Sequence, residues 1–168
     1  EGLIKGKTIA WFSGRSEWGP RALGNRSILA NPATPNIQNI LNLQIKNREQ
    51  FRPFAPIFME DKIKDFFNLD EKIPFMNFVF NVEKNIEKVK GAVHADNSSR
   101  IQTINKHQNE RIYNLLNKFY LKSYIPCLIN TSLNMNEPIV ETPKNAFECF
   151  ARTNLDFLVM ENYLVSKK

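Results

Sequence analysis

The chain has 168 residues, 42% of them hydrophobic, and a formal charge of +6 at neutral pH. Thirteen Phe residues favour a packed interior over disorder, and the length suits one globular domain spanning residues 1–168. Cys127 and Cys149 are too few and too far apart for a disulfide framework or a zinc site, and no apolar run approaches the ~20 residues of a membrane span. The basic surplus is compatible with a polyanionic partner without establishing one. Free thiols suit a reducing compartment, so a cytoplasmic location is expected. The first residues carry no secretory-signal pattern. Opening on Glu1 without a methionine, the chain is expected to be a piece of a longer protein.

Residues 8–12 read as a strand ended by Ser13-Gly14. A turn follows that holds two arginines between glycines, Gly19-Pro20-Arg21-Ala22-Leu23-Gly24-Asn25-Arg26-Ser27, and residues 27–30 form a second short strand. Thr34 as N-cap and Pro35 behind it predict a helix with Ile37, Ile40, Leu41 and Ile45 on its apolar face, ending near Lys46. Pro53 and Pro56 bar helix in the next stretch, leaving 54–58 extended. A helix is expected over 61–67, a buried strand over 76–82, a polar loop over 93–99 and an alternating strand over 100–104. The longest helical pattern covers 108–122. An apolar strand over 125–129 runs straight into Asn130-Thr131-Ser132-Leu133-Asn134. Thr142-Pro143 opens a helix through Arg152, and 156–160 is the last buried strand. Strands alternating with helices predict a mixed α/β sheet with covering helices.

Arginines gathered around glycine turns usually hold carboxylate or phosphate, because the guanidinium is always charged and offers a rigid fork of donors. Gly19 and Gly24 would let backbone N–H groups approach a ligand, with Arg21 and Arg26 bringing charge. The plainer alternative is a tight turn whose arginines pair with acids, Glu17 being at hand. Trp18 is expected to pack. A second cluster, Lys46, Arg48 and Arg52, follows about one helix later; it is either a converging anion clamp or a surface face neutralised by Glu49 and Asp61. Arg100 alone is a weaker signal. The hydroxyls and amides of Asn130, Thr131, Ser132 and Asn134 sit where a strand ends, the usual ligand side of an α/β sheet, or else form a polar turn capping itself. His94 and His107 are not at metal-ligand spacing, and neither a Ser-His-Asp order nor a Walker loop is present.

Taken in order, the stretches GRSEWGPRALGNRSILANP, LNLQIKNREQFRPFAP, RIQTI, IPCLINTSLNMNEPIVETP and TNLDFLVMENYLV form a pattern. It resembles the C-terminal domain of the carbamoyltransferases typified by nodulation protein U and the antibiotic O-carbamoyltransferases. Trp18 and Leu133 stand where that family often has Phe, and the His94–Ser99 run departs from its common form. The resemblance implies a twisted sheet similar to the threonylcarbamoyl-adenylate synthase fold, around an open basic site. It implies a domain that takes carbamoyl phosphate and ATP, with Mg²⁺ accompanying the nucleotide, and makes carbamoyl adenylate and pyrophosphate. A separate N-terminal domain of the actin-like ATPase type would then pass the carbamoyl group to an acceptor hydroxyl. By resemblance Arg21, Lys46, Arg52 and Arg100 hold carbamoyl phosphate and nucleotide phosphates, with Arg48 beside them. Asn130, Thr131, Ser132 and Asn134 line the same pocket, Ser132 touching phosphate or carbamoyl. Lys46 and Arg52 lie in no apolar pattern, so replacing either should abolish anion binding and spare the fold. Competing readings are a basic RNA-binding module, which the scarcity of interleaved aromatic and basic residues disfavours, and a threonylcarbamoyl-adenylate synthase acting on tRNA precursors.

Overall fold

A computed structural model describes residues 1–167. The strand β1 (Ile9–Phe12) pairs antiparallel with β2 (Arg26–Ala30), with the arginine turn between them. A short helix α1 (Ile37–Asn39) passes directly into a π-helical turn (Ile40–Ile45). The strand β3 (Ala55–Met59) follows, then β4 (Val79–Asn81), the helix α2 (Ile86–Val89), and strands β5 (Ser98–Arg100) and β6 (Gln102–Ile104). Helix α3 (Glu110–Ser123) leads to β7 (Cys127–Ser132), helix α4 (Pro143–Arg152) and the strands β8 (Phe157–Met160) and β9 (Tyr163–Ser166). Seven strands form one mixed sheet in the order β6-β3-β7-β2-β1-β8-β9, while β4 and β5 make a separate ribbon. The mixed α/β sheet with covering helices is the architecture the alternation implied.

The period of two along the central strands divides the core. Trp11, Leu29 and Leu128 face α3, packing against Ile112, Leu116 and Phe119. Ala10, Phe12, Ile28, Ala30 and Ile129 face the opposite way, against Ile37, Leu41 and Ile45 of the α1 segment and Ala146, Cys149 and Phe150 of α4. Thr142 caps α4 as expected, its hydroxyl accepting from the Asn145 backbone N–H while Asn145 Oδ1 takes the Thr142 N–H, a reciprocal box. Cys127 and Cys149 are both buried free thiols.

Four expectations are corrected. The helix begins at Ile37 rather than behind Thr34, because Asn36 takes a left-handed conformation with φ 56°. Residues 61–67 form a 3-10 turn over Glu60–Asp65 instead of an α-helix. The run 76–82 is strand only over Val79–Asn81, and it is not buried: Phe78 and Val79 are exposed and Met76 has φ 55°. Residues 98–104 switch sheets at Ile101, so Ser98–Arg100 belongs to the ribbon and Gln102–Ile104 to the edge of the main sheet. Strand β9 was not anticipated. Its signal is the Glu161-Asn162 pair between two β-rich runs, with Glu161 at φ 49° in the turn.

Gly91 marks a close approach between α1 and the segment after α2. A Cβ there would lie 2.3 Å from Ile37 Cγ2 and 2.7 Å from the Pro32 carbonyl oxygen. Gly91→Ala is therefore expected to destabilise the chain by about 1–3 kcal/mol, the usual cost of overpacking, read as a lowered midpoint in thermal or urea unfolding. An unchanged midpoint would contradict this packing.

Candidate functional site

The arginine turn is held from inside. Glu17 Oε1 accepts from the backbone N–H of Leu23 at 2.8 Å, Asn25 at 2.6 Å and Arg26 at 3.3 Å. It is bound to backbone and forms no ion pair with Arg21 or Arg26. Arg26 turns inward and is 3% exposed: its guanidinium donates to the carbonyls of Ser13, Asn25, Gly14 and Glu141 and lies 3.6 Å from the centroid of Phe12. Of the two arginines read as charge carriers, Arg26 thus holds the fold. Gly24, at φ 116°, packs on Ile112 of α3, where a Cβ would come within 3.3 Å. This glycine serves a turn and a helix contact rather than a ligand. Trp18, expected to pack, is 97% exposed.

The second basic segment leaves the π-helical turn under the control of one buried amide that the sequence reading missed. The Lys46 N–H reaches the Leu41 carbonyl at 2.8 Å, an i→i−5 bond, and the Arg48 N–H bonds the Asn42 carbonyl at 2.9 Å. Asn42, fully buried, donates its side-chain amide to the carbonyls of Gln50 and Arg52 at 3.0 and 2.9 Å, while its Oδ1 accepts from Arg48 Nε at 2.7 Å. Arg48 also lies over the Phe54 ring at 4.9 Å. The loop is therefore folded back upon the helix, and Arg48 is aimed by it. A polar residue in the middle of an apolar helix face was the available signal.

These segments meet in a cleft of about 110 Å³ lined by Arg21, Arg48, Arg100, Asn130, Thr131 and Ser132, closed on its sides by Pro20, Phe54 and Met76. Of the larger hollows on the surface, one gathers three lysines, Lys64, Lys84 and Lys88, but with the Asp65 carboxylate beside them, and the others hold fewer cations, with acids among them. The three arginines come from three separate parts of the chain, and among the described residues none of them forms an ion pair. Arg100 Nε is buried without a partner. Burial pulls the Arg100 and Arg48 pKa values below the usual guanidinium range, helped by Arg21 in the first case and Arg52 in the second. Cations held together against their own repulsion form a cleft whose charge an anion would neutralise.

Lys46 and Asn134 stand behind this wall rather than in it. The Lys46 ammonium is 3% exposed and donates to the Ser132 carbonyl, to Ser132 Oγ at 3.3 Å, and to the Asn134 carbonyl and Oδ1 at 2.9 and 2.8 Å. Ser132 Oγ in turn donates to Asn134 Oδ1 at 2.7 Å. Arg52 is not brought to the cleft; its guanidinium is exposed, 3.8 Å from the Glu49 carboxylate. Among the described residues no group of three His, Cys, Asp or Glu is placed to hold a metal ion, and no helix is long and apolar enough to cross a membrane.

A protein-family model described as "Carbamoyltransferase C-terminus" matches residues 1–167. The chain belongs to that family. It is 42% identical to nodulation protein NolNO of Sinorhizobium fredii over 100% of the chain and 25% of that protein. It is equally 42% identical to nodulation protein NolO of Bradyrhizobium diazoefficiens, over 99% of the chain and 31% of that protein. The chain thus spans between a quarter and a third of the length of these curated relatives. The crystal structure of full-length HypF in the phosphate- and nucleotide-bound form superposes with a TM-score of 0.64 at 15% identity, over 96% of this chain and 24% of that one, so the two share a fold.

The buried ammonium corrects the expectation that Lys46 can be removed without harm to the fold. Lys46→Ala leaves the Asn134 carbonyl without a donor, takes one of two donors from the Ser132 carbonyl and from Asn134 Oδ1, and opens a gap where the buried stem lay; it is expected to lower stability by about 2–5 kcal/mol in urea unfolding. The same ammonium gives the site a pH dependence. Burial, and then the charge of Arg48, pull its pKa down to about 7. Below that value it is charged and adds to the attraction for an anion; above it the charge is gone. Sulfate, which does not titrate, should therefore bind roughly three- to fivefold more weakly at about pH 8.5 than at about pH 6 by isothermal titration calorimetry. A flat profile would exclude Lys46 from the field of the cleft.

Proposed function

We propose that this chain is the activating part of an O-carbamoyltransferase, binding carbamoyl phosphate and ATP and forming carbamoyl adenylate for transfer to an acceptor hydroxyl. The observation that carries it is the convergence of Arg21, Arg48 and Arg100 on a small cleft floored by Asn130, Thr131 and Ser132, with no carboxylate among the residues that line it. Family membership and the phosphate and nucleotide bound by HypF, which shares the fold, support the same choice of ligands.

In this reading the arginines neutralise the phosphates of two polyanions that would otherwise repel one another. A carbamoyl oxygen attacks the α-phosphorus of ATP, the bond from that phosphorus to the β-bridging oxygen breaks, and pyrophosphate leaves. The phosphate first carried by the carbamoyl group departs as inorganic phosphate, with one water consumed. Arg21, Arg48 and Arg100 stabilise charge that develops on the non-bridging oxygens, and their fixed positions make that stabilisation effective. Ser132 contacts phosphate or carbamoyl. Lys46 and Asn134 act by fixing Ser132, and Arg52 acts from the rim through its charge. Mg²⁺ enters with the nucleotide. The acceptor is a hydroxyl of a sugar, oligosaccharide or antibiotic-like molecule, and a further N-terminal domain of actin-like ATPase type in the same polypeptide completes the transfer.

One observation favours a second reading. Trp18, Phe51, Phe75 and Phe78 are exposed within a few residues of the cleft-lining Pro20, Arg48 and Met76, and such rings can stack on RNA bases.

Pyrophosphate release separates the two. It is expected to require carbamoyl phosphate and ATP–Mg²⁺ together, and to fall about 10²- to 10³-fold in Arg100→Ala with the unfolding midpoint little changed. Absence of release, with neither ligand raising the melting temperature and a short RNA doing so, would overturn the enzymatic reading in favour of RNA binding.

A further inference from the structure

We infer that Asn130, held in one orientation by Gln102, selects a carbamoyl group over an acyl group of the same shape in the arginine cleft; this deepens the carbamoyl phosphate reading and rests on it. Asn130 lies on β7, on the face of the sheet that carries Leu128, and is 1% exposed while lining the cleft. Just past the first turn of α3, the arginine turn takes over as cover of that face, fixed there by two side-chain amides. Gln102 Nε2 donates to the Leu23 carbonyl at 2.9 Å. Asn130 Nδ2 donates to the Ala22 carbonyl at 3.1 Å and to Gln102 Oε1 at 2.9 Å.

A backbone carbonyl can only accept, so this chain of bonds has one consistent assignment. Leu23 demands the amide nitrogen of Gln102, which turns its oxygen to Asn130. Ala22 and Gln102 together take both hydrogens of Asn130 Nδ2. The remaining atom, Asn130 Oδ1, is buried and has no hydrogen-bond partner. An orphaned acceptor at that depth is costly unless a ligand supplies a donor.

Around it the cleft offers donors. Arg21, Arg48 and Arg100 have no acceptor atoms, and the Ser132 hydroxyl gives its hydrogen to Asn134 and accepts from Lys46, which leaves it one lone pair for a substrate donor and no hydrogen for a phosphate. The phosphates of carbamoyl phosphate and of ATP, and the carbonyl of the carbamoyl group, are all acceptors. The one donor these substrates could bring into so small a space is the carbamoyl –NH₂, since about 110 Å³ falls well short of the ~300 Å³ at the lower end of pockets for drug-sized ligands and leaves no room for an adenosine. Acetyl phosphate has the same size, charge and acceptors but a methyl group in place of that –NH₂. Asn130 Oδ1 therefore tells the two apart, and Gln102 is a positioning residue that keeps the oxygen, rather than the nitrogen, of Asn130 available.

The test is calorimetric titration of the chain with carbamoyl phosphate, acetyl phosphate and inorganic phosphate, repeated for Asn130→Leu and Gln102→Met, both near-isosteric changes. The unaltered chain should bind carbamoyl phosphate at least about tenfold more tightly than acetyl phosphate, as expected where a site's polar group is left unpaired by the analogue. In either variant the ratio should fall to within about twofold, while inorganic phosphate still binds, more weakly because the turn that carries Arg21 loses one of its braces. Equal binding of carbamoyl and acetyl phosphate by the unaltered chain overturns the role of Asn130 and leaves the carbamoyl phosphate reading standing. Failure of all three anions to bind overturns both. Discrimination that survives in a phosphate-binding variant, or loss of inorganic phosphate binding in both variants, overturns a selective role as well.

Discussion

Three guanidinium groups in one small cleft, with no carboxylate among the described residues that line it, set the constraint that the rest of this structure answers. Left to themselves they would swing out to solvent or recruit acids. Each is prevented by something specific. The turn carrying Arg21 is fastened by Glu17 through three backbone N–H groups and by the amides of Gln102 and Asn130 through two carbonyls. Arg48 is gripped by Asn42 and lies over Phe54. Arg100 stands at the end of the β5 ribbon strand, opposite Val79, where the chain crosses from one sheet to the other. The Glu17 carboxylate is bound to backbone and braces the turn without an ion pair to Arg21; its charge acts on the inward-facing Arg26.

The same device recurs in the cations that do not line the cleft. Arg26 is buried against four carbonyls and Lys46 against two carbonyls, an amide oxygen and a hydroxyl. Carbonyl dipoles satisfy a buried cation at close range but carry no net charge, so the potential of the cleft stays positive. Ion pairs in the same places would have held the fold equally well and weakened the attraction for an anion. The described ion pairs are mostly at the surface, such as Lys106 with Glu110 and Lys144 with Glu148, where solvent makes them worth little.

The architecture was legible because alternation and capping are local. Central strands with a period of two, the Thr142 cap and the Pro-barred extended segment all follow from neighbours in sequence. What escaped was decided at long range or by a single torsion. Asn36 in the left-handed region moved the start of a helix that Thr34-Pro35 had marked, and the Asn42 network converted its end to a π-helical turn. The 76–82 alternation looked like a buried strand, yet Phe78 and Val79 are exposed, two and three residues after the cleft-lining Met76. In the candidate site the residue types were readable and their division of labour was not. Arg21 and Arg26 are five residues apart in one motif, and nothing local says that one faces the cleft and the other the carbonyls of Ser13 and Gly14. Lys46 and Arg52 looked alike in sequence and ended with one nearly inaccessible and one at the surface.

Gln102 and Asn130 show why such a site resists reading from a motif. Each is an ordinary amide in a strand, 28 residues apart, and neither has charge to draw attention. Their meaning comes from the carbonyls of Ala22 and Leu23, which the arginine turn lays across the sheet and which leave those two amides a single orientation. The turn thus has two parts in one structure. Its side chain at Arg21 supplies charge, and its backbone at the next two residues fixes Asn130, the amide side chain among the described cleft-lining residues, with its buried oxygen left without a partner. Charge alone would admit any small phosphate. A fixed acceptor among donors is what allows a cleft of this kind to distinguish the group that the phosphate carries.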